Sequence, residues 1–243
     1  IVNKQNEELR QFNQVVTHNI QEPLRKLSIF SGLLVEEKDI KRQQALVEKV
    51  KGAMTQMNMV ISGLQQYVWL NESLLNPETL DFEQILHPIK NRLATEHPGV
   101  ELVLQTDSLP PFEGDRAQIE LLFYQLLYNA IRFRKEAGKA FVRITASEVR
   151  HNRFRHVEGK YKYDYYLRIQ VQDSGLGFDD NYKDQALELF KRLHKQSGRG
   201  VGLALCKKVT DNHQGNISIS SKMGEGTVVT VLLPLHLGST NIV

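Results

Sequence analysis

Two kinds of pattern divide the 243 residues and predict an all-α helical hairpin followed by a domain of mixed α and β structure. In the first third of the chain apolar residues recur at three-and-four spacing, the mark of helices with one buried stripe. Past Pro77 the pattern turns to alternating strands, helices and glycine-rich turns. Between them Asn71-Glu72-Ser73-Leu74-Leu75-Asn76-Pro77 breaks the helical repeat, as a linker does. The expected division is a hairpin over residues 1–74 and a second domain over 78–238.

Residues 1–37 read as one long helix whose stripe is Leu9, Phe12, Val16, Ile20, Pro23, Leu27, Phe30 and Leu34. At about 100° per residue, His18 lies on the side opposite Val16 and Ile20 and is expected to face solvent. Glu22 shares its face one turn on. A solvent-facing histidine is by itself an ordinary surface residue. Pro23 sets this one apart, because a proline inside a helix removes a backbone donor and tends to bend it. A charged cluster at 35–40 reads as a short turn. Then Leu46, Val50, Ala53, Met57, Val60, Leu64 and Tyr67 alternate four and three, a heptad seam. One hairpin buries one side of each stripe, so either it packs on its own second domain or two copies close a four-helix bundle, and the homodimer is the expectation.

In the second domain the patterns predict a helix at 82–96, a strand at 100–105, and a helix at 115–133 opened by Asp115 at its cap. Strands at 140–149 and 163–172 flank a polar, basic connection at 150–160. A helix near 184–193 precedes a glycine-rich loop and a helix at 201–212. Strands at 216–221 and 227–233 close the domain, and 238–243 reads as a loose tail.

Composition excludes several classes. The net charge of +3 and the lack of a basic run give no indication of a nucleic-acid partner. Cys206 is the only cysteine, which rules out an internal disulfide or a multi-cysteine metal site and suits a reducing compartment. His87, His97, His151, His156, His194, His213 and His236 have no metal-ligand spacing. No stretch is long and apolar enough for a membrane span, and no signal peptide precedes the first helix. Ile1 opens the chain inside a polar helical pattern, so a longer protein with a preceding region is the expectation.

Four stretches of the second domain can carry chemistry. Asn129 and Arg132, three apart on one helix face, offer an amide oxygen suited to Mg²⁺ and a guanidinium suited to phosphate, or they simply face water. Asp173-Ser174-Gly175-Leu176-Gly177 ends a strand. There a carboxylate can accept from an exocyclic amine beside a sharply turning backbone, although a plain turn uses the same residues. Gly198-Arg199-Gly200-Val201-Gly202 precedes a helix, where backbone amides can approach a phosphate, but it is neither the dinucleotide fingerprint nor the P-loop. Gly224-Glu225-Gly226-Thr227 links two strands, and a hairpin turn would explain it equally well.

The order and spacing of these stretches resemble the nucleotide-binding domain of sensor histidine kinases, an α/β sandwich of the GHKL (Bergerat) ATP-binding type shared with gyrase-type ATPases. Thr17-His18-Asn19-Ile20-Gln21-Glu22-Pro23-Leu24-Arg25 likewise resembles the family's phospho-accepting histidine box. The resemblance implies ATP and Mg²⁺ as cofactors, with Asn129 as metal ligand and Arg132 in place of the usual lysine near the phosphates. It implies Asp173 at the adenine amine, Gly175 and Gly177 shaping that pocket, and Thr227 beside it. Phe190 would stand for the phenylalanine box, and Gly198, Gly200 and Gly202 would line a short lid. It further implies autophosphorylation of His18, transfer to an aspartate of a response regulator receiver domain, and a cytoplasmic location, with membrane anchoring of the full protein left open.

Two positions depart from the family pattern. Many members follow the histidine with Glu or Asp as a base, and here Asn19 cannot act as one. Many also carry Thr or Asn four residues after it, and here the place is held by Glu22, which is expected to take the base or orienting role. A gyrase-type ATPase would place a glutamate base one turn before the metal-binding asparagine, and Gln125 stands there instead. Asn19 also leaves open a non-catalytic nucleotide-binding dimerisation module.

Overall fold

The computed structural model describes residues 2–107, 109–135, 137–152, 163–191 and 200–235. Helix α1 (Val2–Glu36) runs without interruption through Pro23, and α2 (Ile40–Glu72) returns after a three-residue turn. The turn is held by side chains on backbone groups. Asp39 caps α2 by accepting from the Arg42 N–H at 3.0 Å, and Gln43 Nε2 donates to the Glu37 carbonyl at 2.7 Å. From Val16 onward the expected α1 stripe is turned inward, with Pro23 buried and Ile20, Leu27, Phe30 and Leu34 half-buried, while Thr17 and His18 are exposed. On α2, Ala53 and Val60 are the buried members of the heptad seam.

A short strand, β1 (Pro77–Leu80), follows and pairs antiparallel with β3 (Phe112–Asp115). Between them lie α3 (Phe82–Glu96) and β2 (Glu101–Thr106). Helix α4 (Arg116–Arg132) starts at Asp115, whose carboxylate accepts from the Gln118 N–H at 3.0 Å. Then come β4 (Lys139–Asn152), β5 (Tyr163–Asp173), a one-turn α5 (Lys183–Ala186), α6 (Gly202–Asn212), β6 (Asn216–Lys222) and β7 (Gly226–Pro234).

The main sheet has the order β2-β4-β5-β7-β6, with β2 parallel to β4 and the other neighbours antiparallel. Strict alternation gives it one apolar face, since in a strand successive side chains point to opposite sides. Val142, Ile144, Ile169, Val171 and Val231 are buried in one core with Leu93 of α3, Leu122 and Phe123 of α4 and Val209 of α6. On the opposite face Arg143, Arg168 and Gln172 are exposed. The domain is therefore a two-layer α/β sandwich.

The helix expected near 184–193 is not formed among the described residues. A 3-10 turn (Asp180–Tyr182) leads into the single turn of α5, and Phe190 takes φ of +61° with its side chain buried. A left-handed residue cannot continue a right-handed helix, and burying the phenylalanine ring outweighs the helix-forming character of the segment. The connection at 153–160, the residues from 192 to 199, and the tail at 238–243 lie outside the described residues.

The hairpin and the sandwich share packing. Gly63 of α2 faces Val201, where an added Cβ would stand 3.0 Å from each Val201 methyl. Asn212 Nδ2 donates to the Leu70 carbonyl at 2.8 Å and to Gln118 Oε1 at 3.0 Å, while Gln118 Nε2 donates to Ser73 Oγ at 3.1 Å. These bonds tie the last turn of α2 to α4 and α6.

Candidate nucleotide site and phospho-accepting helix

The apolar face of the sheet gives way to polar side chains at one end. Ile144, Val171, Val229 and Ile219 stand side by side across β4, β5, β7 and β6, all buried. Two residues along, the corresponding row is Val142, Asp173, Thr227 and Ser221. The strand period puts this second row on the same, helix-facing side. One carboxyl and two hydroxyl groups thus stand at the edge of a dry core.

Asp173 Oδ1 accepts from the Gly175 N–H at 2.8 Å, and the Thr227 N–H also bonds the carboxylate. Burial outweighs these bonds and the nearby Lys135 charge, and lifts the carboxyl above its usual range. The loop after β5 is anchored on α4 through the Leu176 N–H, which donates to the Phe133 carbonyl at 2.8 Å. Gly177 has φ of +58°, and a Cβ there would collide with the Lys222 carbonyl oxygen, so the tight return of the backbone requires glycine. The structure brings Asp173, Gly175, Gly177 and Thr227 into one cluster.

Asn129 and Gln125 lie one turn apart on α4, facing Gly202 at the start of α6. A Cβ on Gly202 would stand 2.9 Å from Gln125 Oε1 and 3.7 Å from Asn129 Oδ1, so glycine keeps the space above these amides open. An amide oxygen at an open cradle is a competent ligand for a hard cation such as Mg²⁺. Among the described residues no group of three or more His, Cys, Asp or Glu forms a metal cluster. Arg132 Nη1 donates to Tyr128 Oη at 2.9 Å, and its Nε is buried with no hydrogen-bond partner among the described residues. Gly200 meets the backbone of Phe190 and Lys191, which brings the start and end of the expected lid together. Gly198 lies outside the described residues.

His18 stands on the exposed side of α1, as its spacing predicts. Glu22, expected to serve His18, has its carboxylate bound by Lys26 Nζ at 2.6 Å, one turn further along the same face. Two residues of the site escape motif reasoning. Tyr128 holds Arg132, and Ser221 fills a buried position that the alternation of β6 assigns to an apolar side chain after Ile217 and Ile219. That break in the alternation is the signal that points to Ser221.

Residues 114–237, just over half of the chain, match the family described as histidine kinase-, DNA gyrase B-, and HSP90-like ATPase. Over 239 residues the chain is 26% identical to cyanobacterial phytochrome A of Nostoc sp. (strain PCC 7120), covering 96% of this chain and 29% of that protein. It is 26% identical over 228 residues to the alginate biosynthesis sensor protein KinB of Pseudomonas aeruginosa, covering 90% and 36%. The chain thus spans about a third of the length of these relatives. The fold matches that of histidine kinase ThkA, solved in complex with response regulator protein TrrA, with a TM-score of 0.70 at 17% identity, covering 97% of this chain and 64% of that one. Full-length ShkA in complex with AMPPNP matches with a TM-score of 0.56 at 18% identity, covering 91% and 45%.

Proposed function

Because the chain belongs to the histidine kinase-, DNA gyrase B- and HSP90-like ATPase family, we propose that it is a sensor histidine kinase core, which takes the γ-phosphoryl group of ATP onto His18 and passes it to an aspartate of a response regulator. The observation that carries this reading is the cluster of Asp173, Gly175, Gly177 and Thr227 at the sheet end, linked through Phe133 to the helix that carries Asn129.

In this reading Asp173 accepts from the adenine amine, and the loop of Gly175 and Gly177 lets the backbone approach the base. Backbone amides of Gly198, Gly200 and Gly202 and the guanidinium of Arg132 hold the phosphates. Asn129 would hold Mg²⁺, which offsets phosphate charge when bound. A nitrogen of the neutral His18 imidazole attacks the γ-phosphorus. The N–P bond forms as the bond to the β-phosphate bridging oxygen breaks, ADP leaves, and Glu22 receives the imidazole proton once released by Lys26. Glu22→Gln is accordingly expected to slow phosphorylation about a hundredfold; an unchanged rate would remove Glu22 from the reaction.

The division into a phosphotransfer hairpin (1–74) and a catalytic domain (78–238) belongs to the same proposal, as does pairing of two hairpins. The outer side of α2 supports pairing. Ile40, Val47, Met54, Ile61 and Val68 recur every seven residues, and Met54 and Ile61 are 52% and 37% exposed. A second copy would bury that stripe. No helix among the described residues is long and apolar enough to cross a membrane. Input would come from an N-terminal sensor region, and the receiver domain would be the downstream partner, as the ThkA–TrrA complex suggests by analogy.

Incubation with Mg²⁺ and ATP, followed by mass-spectrometric mapping at alkaline pH, tests the reading. Phosphorylation at His18 is the expected result; a chain that binds ATP and stays unmodified at His18 would contradict it.

A further inference from the structure

Ser221 has no part in the reading above, yet it is buried and its hydroxyl makes three contacts. Gly226 O lies 3.0 Å away, the Phe178 N–H 2.9 Å, and Thr227 Oγ1 2.9 Å. A serine hydroxyl has one proton and two lone pairs. The Gly226 carbonyl can only accept, so it takes the Ser221 proton. The Phe178 N–H can only donate, so it fills one lone pair. The contact with Thr227 must then be made by the Thr227 proton, donated into the lone pair that remains.

The Thr227 proton is committed to Ser221, so its hydroxyl can offer a ligand only acceptor lone pairs. Thr227 pairs with Asp173 in the β5–β7 register, on the same side of the sheet. An ionised carboxylate is also acceptor-only. The polar end of the sheet therefore presents two acceptors and no side-chain donor from this pair.

Resting on the reading of this edge as the purine site, we propose that Ser221 is a specificity-determining positioning residue: it orients the Thr227 hydroxyl so that the site accepts the 6-amino group of adenine and opposes the 6-oxo group of guanine. Without the Ser221 oxygen, the Thr227 proton is free to turn toward guanine O6. A site built to hydrogen-bond one exocyclic group rejects its opposite because a buried polar group is then left unpaired.

Titration calorimetry with Mg-ATP and Mg-GTP on the full chain tests this. The wild type should prefer ATP. Ser221→Ala should lower the ATP-to-GTP affinity ratio by roughly fivefold to tenfold, about the worth of one hydrogen bond. Ser221→Thr, which keeps the hydroxyl, should restore the ratio. In a Thr227→Val background, which has no proton to orient, adding Ser221→Ala should leave the ratio where Thr227→Val puts it. If Ser221→Ala fails to fold, Ser221→Cys provides the same comparison with a weak hydrogen-bonding group. Equal losses of ATP and GTP affinity, or the same change of ratio with and without the Thr227 hydroxyl, would reduce Ser221 to a structural role and overturn the proposal. A wild type that binds neither nucleotide would overturn the purine-site reading itself, a result distinct from binding with an unaltered ratio.

Discussion

The two regions of the chain differ in how completely they bury their own apolar side chains. In the sandwich Leu80, Ile85, Leu93, Ile119, Leu122 and Phe123 are wholly buried, and a contiguous core joins the sheet to α3, α4 and α6. The hairpin leaves Leu24, Ile29, Leu33, Met54 and Ile61 exposed while burying Ala53 and Val60. The sandwich is a finished domain that places a polar edge at the end of a dry core. The hairpin keeps an exposed apolar stripe on its outer side, the surface that the proposed pairing would bury. A candidate nucleotide site on a closed core and a helix pair with an uncovered stripe are physically different devices, and the Gly63–Val201 contact joins them.

The largest effect should come from breaking the hairpin's outer stripe. Met54→Glu combined with Ile61→Glu places unpaired charges in the proposed seam, and should weaken self-association by on the order of 3 kcal/mol. Sedimentation velocity should then show monomers with the sandwich still folded; an intact dimer would move the interface elsewhere. On the sandwich side, Gly177→Ala forces a Cβ onto the Lys222 carbonyl at positive φ. It should cost about 2 kcal/mol in the thermal unfolding of that domain and weaken nucleotide binding, leaving self-association unchanged.

The smallest effect concerns pH and again sets the regions apart. His213 is buried in the sandwich, where Nδ1 donates to the Val209 carbonyl at 2.8 Å and Nε2 accepts from the Asp115 N–H at 3.0 Å. Only the neutral ring makes both bonds, and burial lowers its pKa from the ordinary histidine value. Between that lowered value and about 6.5 the unfolded chain binds more protons than the folded one, so this contribution to stability is present above about 6.5 and is lost as pH falls. Asp173, whose carboxyl is raised by burial, acts in the opposite sense but in the more acidic carboxylate range. The melting temperature of the sandwich should drop by a few degrees from pH 7 to pH 5, and less steeply in His213→Gln. Equal slopes would remove His213 as the cause.

Much of this architecture is legible in the sequence because long elements repeat their pattern many times. The α2 seam and the alternation of β5 each carry several independent votes for one period. Strands β1 and β3 are four residues each, too short to show a period, and emerge only through their pairing. The segment after α5 misleads for the opposite reason. Ala186, Leu187, Leu189 and Phe190 look amphipathic in a helix, yet Phe190 is buried from a left-handed backbone that no pattern announces. In the site, spacing places Glu22 on the face of His18 but equally places Lys26 on the face of Glu22, and the ion pair is the outcome in this structure. Ser221 is legible as a hydroxyl at an inward strand position, but the direction of its hydrogen bonds is set by Phe178, Gly226 and Thr227, which only the folded chain brings around it.

The proposed division of labour between the regions is tested most directly by following acid-labile label from γ-labelled ATP into three chains: wild type, His18→Gln and Asn129→Asp. The account predicts label in the wild type alone, with ATP affinity retained in His18→Gln and Mg-ATP affinity reduced in Asn129→Asp. Label that persists in His18→Gln would contradict it, because the acceptor would then lie outside the histidine on α1.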